Sequence, residues 1–204
     1  MKRILAMVLV APLAALAQGK VEEKKAEQLR EIERGFFLGV NGGLWATIAP
    51  PAGAGSKAPF LSGQALQVEM GFDIGERVSP AIFFVGAATS RAGSDYTGLS
   101  TMGAASGDFS LMIPGATAKI RLVGFADSQE VQRLWVYARV SAGFVLYSPA
   151  VLIPKNDVLI SAGPGLEYFT RLRHLSIGVE ANFHFMALTS SLGFSVLPSV
   201  RYAF

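Results

Sequence analysis

The side chains with chemistry to offer are four acids and four bases that recur at strand spacing. They are Glu69, Asp73, Glu167 and Glu180 against Lys119, Arg121, Arg139 and Arg201. Each stands between apolar or aromatic neighbours, so a period of two puts the charge on one face and the neighbours on the other. The signs balance. Turned into a dry interior, a lone charge is costly, whereas opposite charges that also hydrogen-bond are tolerated. The chemistry to expect of this set is pairing. Tracing strand direction sorts it into two levels: Asp73, Arg121, Glu167 and Arg201 at one end, and Glu69, Lys119, Arg139 and Glu180 deeper in. A four-residue step such as Glu69 to Asp73 separates the levels by roughly 14 Å along a strand.

Little else could act on a substrate. The two histidines are His174, in a short polar connection, and His184, on a polar strand face shortly before Ser190 and Ser191. Hydrolysis of the serine–histidine type needs a third, acidic member, and none lies nearby in sequence. There is no cysteine, Walker loop, paired-histidine spacing or nucleophile elbow. No catalytic, cofactor-binding or metal-ligating residues are therefore expected, and no cofactor. Without Lys2 and Arg3 the net charge falls from +3 to about +1, which gives no reason to expect a nucleic-acid partner.

The elements that must carry these charges are strands. From Gly35 onward apolar residues alternate with polar or small ones, as in Leu66-Val68-Met70-Phe72 against Gln67-Glu69-Gly71-Asp73. Similar runs cover Ala118–Leu122, Leu134–Leu146, Val158–Leu166 and Leu175–Phe185, while Ala81–Ala87 is apolar on both faces and least clear. This makes about eight strands, several near the ~9–11 residues a tilted strand needs to cross a bilayer. Gly75–Ser79, Gly124–Gln132 and Thr170–His174 are short connections; Ala46–Gly63 and Thr89–Gly107 are long, and Ser148–Asn156 intermediate. That alternation suits a membrane barrel with short periplasmic turns and long outer loops, although Leu188–Ser191 is short for an outer loop. Small inward residues (Gly39, Gly43, Gly71, Gly143, Gly163, Gly165, Gly178) suit a narrow interior. Phe36, Trp45, Phe72, Phe125, Trp135, Tyr147, Tyr168, Tyr202 and Phe204 are expected as outward interfacial girdles. A soluble sandwich is the competing architecture.

Two segments precede the strands. Residues 1–17 read as a signal peptide: Lys2 and Arg3, an apolar run, then Ala15-Leu16-Ala17. Residues 18–34 are rich in Lys, Arg and Glu and are expected as a short periplasmic helix or tether. The domain division is thus 1–17, 18–34 and a barrel at 35–204.

The final stretch alternates Phe194, Val196, Pro198, Val200, Tyr202 and Phe204 against Ser195, Ser199, Arg201 and Ala203, with Leu197 the exception. An ending in Tyr-x-Phe resembles the terminal signal of bacterial outer-membrane β-barrels. The resemblance implies that Tyr202 and Phe204 form the assembly signal read by the barrel-assembly machinery. Across residues 35–204 the pattern resembles small outer-membrane barrels of the OmpA/OmpX/OmpW type. The segments Glu33-Arg34-Gly35-Phe36-Phe37, Arg91-Ala92-Gly93-Ser94-Asp95-Tyr96-Thr97-Gly98 and Leu192-Gly193-Phe194 with the tail are more narrowly similar to myxobacterial adventurous-gliding-motility outer-membrane proteins of the contact-stimulated class. The expectation is an all-β, eight-stranded antiparallel transmembrane β-barrel, located in the outer membrane and non-enzymatic. The resemblance implies a structural or interaction component of the gliding machinery, with outer-membrane lipid and other envelope motility proteins as partners. A small transport barrel for a hydrophobic or small polar solute is the alternative.

Overall fold

A computed structural model describes residues 32–49, 63–90, 108–148 and 156–204. The expected signal peptide at 1–17, most of the charged segment and the tips of the long connections lie outside the described residues. Ile32–Arg34, the described end of the charged segment, is not helical.

Eight strands follow in chain order: β1 (Phe36–Ala49), β2 (Gly63–Phe72), β3 (Val78–Ser90), β4 (Asp108–Ala126), β5 (Gln132–Ser148), β6 (Asp157–Phe169), β7 (Leu175–Met186) and β8 (Ser191–Ala203). Each pairs antiparallel with its sequence neighbours, and β1 pairs with β8, so the sheet closes into a barrel. Closure leaves no unpaired edge, which settles the architecture against two open packed sheets. The register across the seam sets Phe37 opposite Ala203, Val40 opposite Val200 and Trp45 opposite Ser195.

The strands outrun the alternation seen in the sequence. β4 continues to Ala126 through a bulge between Arg121 and Val123. The extra residue leaves Leu122 and Val123 both exposed and reverses the faces beyond, so Phe125 points outward. β1 runs on to Ala49 and β3 to Ser90, so parts of the two expected long loops are strand.

One end of the barrel carries the β2–β3, β4–β5 and β6–β7 turns. Gly75 takes φ +61 at the β2–β3 turn, a conformation other residues rarely adopt. At the β4–β5 turn the Asp127 carboxylate accepts the backbone N–H groups of Gln129 and Val131 and the Arg133 side chain. The bond from Arg133 holds the Asp127 carboxyl below its ordinary range. A depressed folded value makes the contribution present at neutral pH and lost as pH falls through that value. Asp127→Ala is expected to speed amide exchange at Gln129 and Val131 and to flatten their acid response as pH falls through and below the ordinary carboxylate range; unchanged exchange would deny the carboxylate this role.

The interior divides into two halves. Toward the loop end, Trp45, Phe83, Val85, Leu111, Ile113, Val145, Tyr147, Leu159, Met186 and Leu197 form an apolar cluster. Toward the turn end the interior is charged. The apolar half corrects the expectation of a polar inner face along every strand. The two-faced run Ala81–Ala87 is the reason: Ile82 and Phe84 point out while Phe83 and Val85 fill the interior.

The girdle expectation is corrected at Trp45, Trp135 and Tyr147, which are buried inside. Phe36, Phe72, Phe125, Tyr168, Tyr202 and Phe204 do point outward, all at the turn end.

Candidate functional site

The charged interior is built by strand parity. Lys119 and Arg121 on β4, Arg139 on β5, Glu167 on β6, Glu180 on β7, Arg201 on β8 and Glu69 on β2 all alternate with outward apolar residues, and Asp73 follows β2 directly. All eight are buried to 5 % exposure or less. At that burial an unpaired charge would be severely penalised, so the partners decide whether the barrel can fold.

Two clusters result. Nearer the turn end, Arg121 donates to Glu167 Oε2 at 2.8 Å and approaches Asp73 Oδ1 at 3.4 Å. Arg201 pairs with the same two carboxylates, closely with Asp73 and at 3.3 Å with Glu167 Oε1. Ser79 also donates to Asp73, and Ser176 to Glu167 at 3.0 Å. Deeper in, Lys119 Nζ meets Glu69 Oε1 at 2.6 Å, and Arg139 Nη1 bridges Glu69 Oε2 at 3.0 Å and Glu180 Oε1 at 2.8 Å. Glu180 further accepts from Asn41, Tyr137 and Asn182.

Aromatic rings complete the packing. Arg201 lies over Phe37 with 3.7 Å from guanidinium carbon to ring centroid, and Arg121 over Phe169 at 5.1 Å. At the turn-end mouth Arg34 covers Trp135 and Phe169 at 6.0 and 5.7 Å. Burial lowers the Arg34 guanidinium from its ordinary value. Glu33 holds this segment across the mouth through a backbone bond to Arg173 and a 3.0 Å ion pair with it.

The clusters connect strands far apart in sequence. Lys119 with Glu69 ties β4 to β2; Arg139 ties β5 to both β2 and β7; Arg201 ties β8 to β6. Such cross-barrel bonds fill the interior with side chains and fix strand register. A small barrel leaves room for little else.

Sequence reasoning missed several members. Arg133 and Tyr137 share the inward face with Arg139, so the period of two could have found them. Asp157 shares the inward parity of Ser161 and Glu167 on β6 but stands at the strand's first position, at the edge of the intermediate connection. It accepts the N–H groups of Val158, Leu188 and Thr189, the Thr189 hydroxyl and, at 3.2 Å, the Tyr147 hydroxyl. It thereby fastens the β7–β8 turn to the loop-end rim. Asp157→Ala should raise protease sensitivity at Ala187–Ser190 several-fold while leaving the barrel folded; equal cleavage would show the turn to be held by other contacts.

His174 lies in the β6–β7 turn and His184 on the inner face of β7, where the sequence places them. His184 bonds Ser195 at 2.9 Å and stacks on Trp45 with ring centroids 4.0 Å apart. Ser195 has no exposed surface, so its hydroxyl serves as an internal partner. His174 Nδ1 lies 3.0 Å from the Ala203 carbonyl and its ring stacks on Tyr202 at 5.3 Å.

The barrel has relatives in shape. Neisserial surface protein A is similar with a TM-score of 0.60 at 12% identity, covering 85% of this chain and 100% of that one. Outer membrane protein OprG of Pseudomonas aeruginosa gives 0.51 at 8% identity, covering 86% and 98%. The N-terminal β-barrel domain of OprF from the same organism gives 0.50 at 9%, covering 84% and 99%. At these identities the likeness is one of fold: a small, closed barrel of the kind found in outer-membrane proteins. No family model matches the sequence, and no curated protein matches it significantly.

Proposed function

We propose that the chain is an outer-membrane β-barrel, exported by residues 1–17, that spans the bilayer as a closed, non-conducting cylinder and serves as a structural or interaction component of a gliding-motility machinery. The observation that carries the membrane reading is the outer wall. Every charged side chain described within the strands points inward, while Leu38, Val40, Leu66, Phe84, Val140, Phe144, Ile160 and Phe183 stand exposed outside. A water-soluble barrel would do the reverse, since a contiguous apolar belt of this extent is unstable in water. Lipid reverses the rule and makes closed barrels one of only two viable spanning forms. The outward aromatics at the turn end suit a headgroup level on the periplasmic side.

The closed reading follows from the packed interior, and the motility reading from the segment resemblance at Glu33–Phe37 and Leu192–Phe204. Its partners would be outer-membrane lipid, the barrel-assembly machinery and other envelope motility proteins. A strain lacking the gene should lose single-cell gliding and regain it on contact with wild-type cells. Normal gliding would remove the motility reading and leave the barrel standing. Reconstituted in planar bilayers, the protein should give no stepwise conductance; steady channels would favour the transport alternative. Epitope tags within residues 50–62 or 91–107 should be reached by antibody on intact cells, and labelling only after permeabilisation would invert the orientation.

A further inference from the structure

Between the charged and the apolar halves of the interior lies a cavity of about 10 Å³, lined among others by Trp45, Asn182, His184 and Ser195. Three of its lining side chains carry a buried polar atom without a partner among the described residues: Trp45 Nε1, Asn182 Oδ1 and His184 Nδ1. Buried polar groups in folded proteins are nearly always satisfied, so three around one cavity call for a common explanation.

We infer that the cavity is the binding site of a single water molecule held by these three groups. The donor and acceptor roles exclude the other small occupants. The Asn182 amide is oriented by Glu180: its Nδ2 donates to Oε1 at 3.3 Å, and a carboxylate can only accept. Oδ1 is therefore an acceptor and requires a donor. Trp45 Nε1–H is a donor only and requires an acceptor. His184 takes either role, because its Nε2 can donate to Ser195 or accept from it. An anion could satisfy Trp45 but not Asn182. A metal ion could satisfy Asn182 but not Trp45. Water does both. The size agrees, since roughly 10–15 Å³ of water-accessible space is the minimum for one water, which typically makes about 3 hydrogen bonds. The site joins β1, β7 and β8 at the level where the interior changes from charged to apolar, so the water acts as a pin across the seam that closes the barrel.

The chain has two tryptophans, which makes the test direct. Trp135 Nε1 already donates to the Gln132 carbonyl at 3.0 Å and serves as the internal control. In the intact barrel in detergent micelles, the Trp45 indole N–H should show a nuclear Overhauser contact to water with the sign of a long-lived complex, and Trp135 should not. In His184→Phe, which removes one ligand and fills the space, the Trp45 contact should fall several-fold. If that variant does not fold, the comparison of the two indoles in the wild-type protein decides alone. No contact at Trp45, or one as short-lived as that of a surface group, would overturn the inference. So would a saturating shift of the Trp45 indole on titration with sodium bromide, which would put an anion in the site.

Discussion

Arg139→Ala is expected to destabilise the folded barrel by about 3–5 kcal/mol, the usual cost of breaking a buried ion pair on one side only. Arg139 is 2 % exposed and its guanidinium is shared by Glu69 and Glu180. The substitution leaves the two carboxylates unequal. Glu69 keeps Lys119 at 2.6 Å and a bond from Gln67, whereas Glu180 keeps, among the described residues, the neutral donors Asn41, Tyr137 and Asn182. The loss should therefore be traced mainly to Glu180. In urea unfolding from micelles or vesicles, Arg139→Ala combined with Glu180→Leu should cost less than the two single changes added together, because the second change removes the charge that the first strands. Additive losses, or a single-variant loss below about 1 kcal/mol, would mean that water reaches the cluster and screens it. Such water would also reopen the question of conduction.

The interior charges were legible because strand parity is strict: once one inward residue is identified, every second residue follows it until a bulge intervenes. The same rule places Trp45 with Asn41 and Trp135 with Arg139. The girdle expectation followed residue type in place of parity, and it failed at Trp45, Trp135 and Tyr147 for that reason. The outward aromatics that the structure does show, such as Phe72 and Tyr202, satisfy type and parity together. Other features had no local signal. The bulge after Arg121 inserts one residue and is invisible in an apolar run. The apolar half of the interior hid in Ala81–Ala87, where both faces are hydrophobic and alternation disappears. The parity of β6 turns Asp157 inward with Glu167, but its partners Thr189 and Leu188 lie more than thirty residues away, and no spacing within one strand can announce them.

The interior has a physical reason for being unequal. Charge is concentrated at the turn end, where chain segments before β1 and between β6 and β7 supply further partners: Arg34 covers the mouth, and Glu33 and Arg173 hold it there. The loop half is filled by large apolar side chains that need no such partners. The lone acid at the loop end, Asp157, is met by N–H and hydroxyl groups, whereas a cluster of buried charges needs enough strands to deliver opposite signs to one level. The register does that twice, through β2, β4, β5 and β7 for the deeper cluster and through β4, β6 and β8, with Asp73 beyond β2, for the other.

Deleting Tyr202–Phe204 is expected to reduce the amount of heat-modifiable barrel in the outer membrane by an order of magnitude or more. These residues close the seam as well as ending the chain. Ala203 stands opposite Phe37 and Tyr202 opposite Leu38 in the β1–β8 register, and Phe204 N–H donates to the Phe36 carbonyl at 2.9 Å. Ala203 is held from the other side, its N–H donating to the His174 carbonyl at 2.7 Å and its carbonyl meeting His174 Nδ1 at 3.0 Å. Outside, the rings of Phe36, Phe204, Tyr202 and His174 form a chain with centroids 5.6, 5.0 and 5.3 Å apart. The deletion thus removes the last rungs of the seam along with the terminal residues proposed as the assembly signal. Phe204→Ala separates the two roles, because it keeps the backbone bond to Phe36 and removes only the ring. A large loss of assembled barrel in cells, with unimpaired refolding of the purified variant into vesicles, would assign the ring to recognition during assembly. Equal losses in both settings would assign it to seam stability, and full assembly after the three-residue deletion would refute both roles.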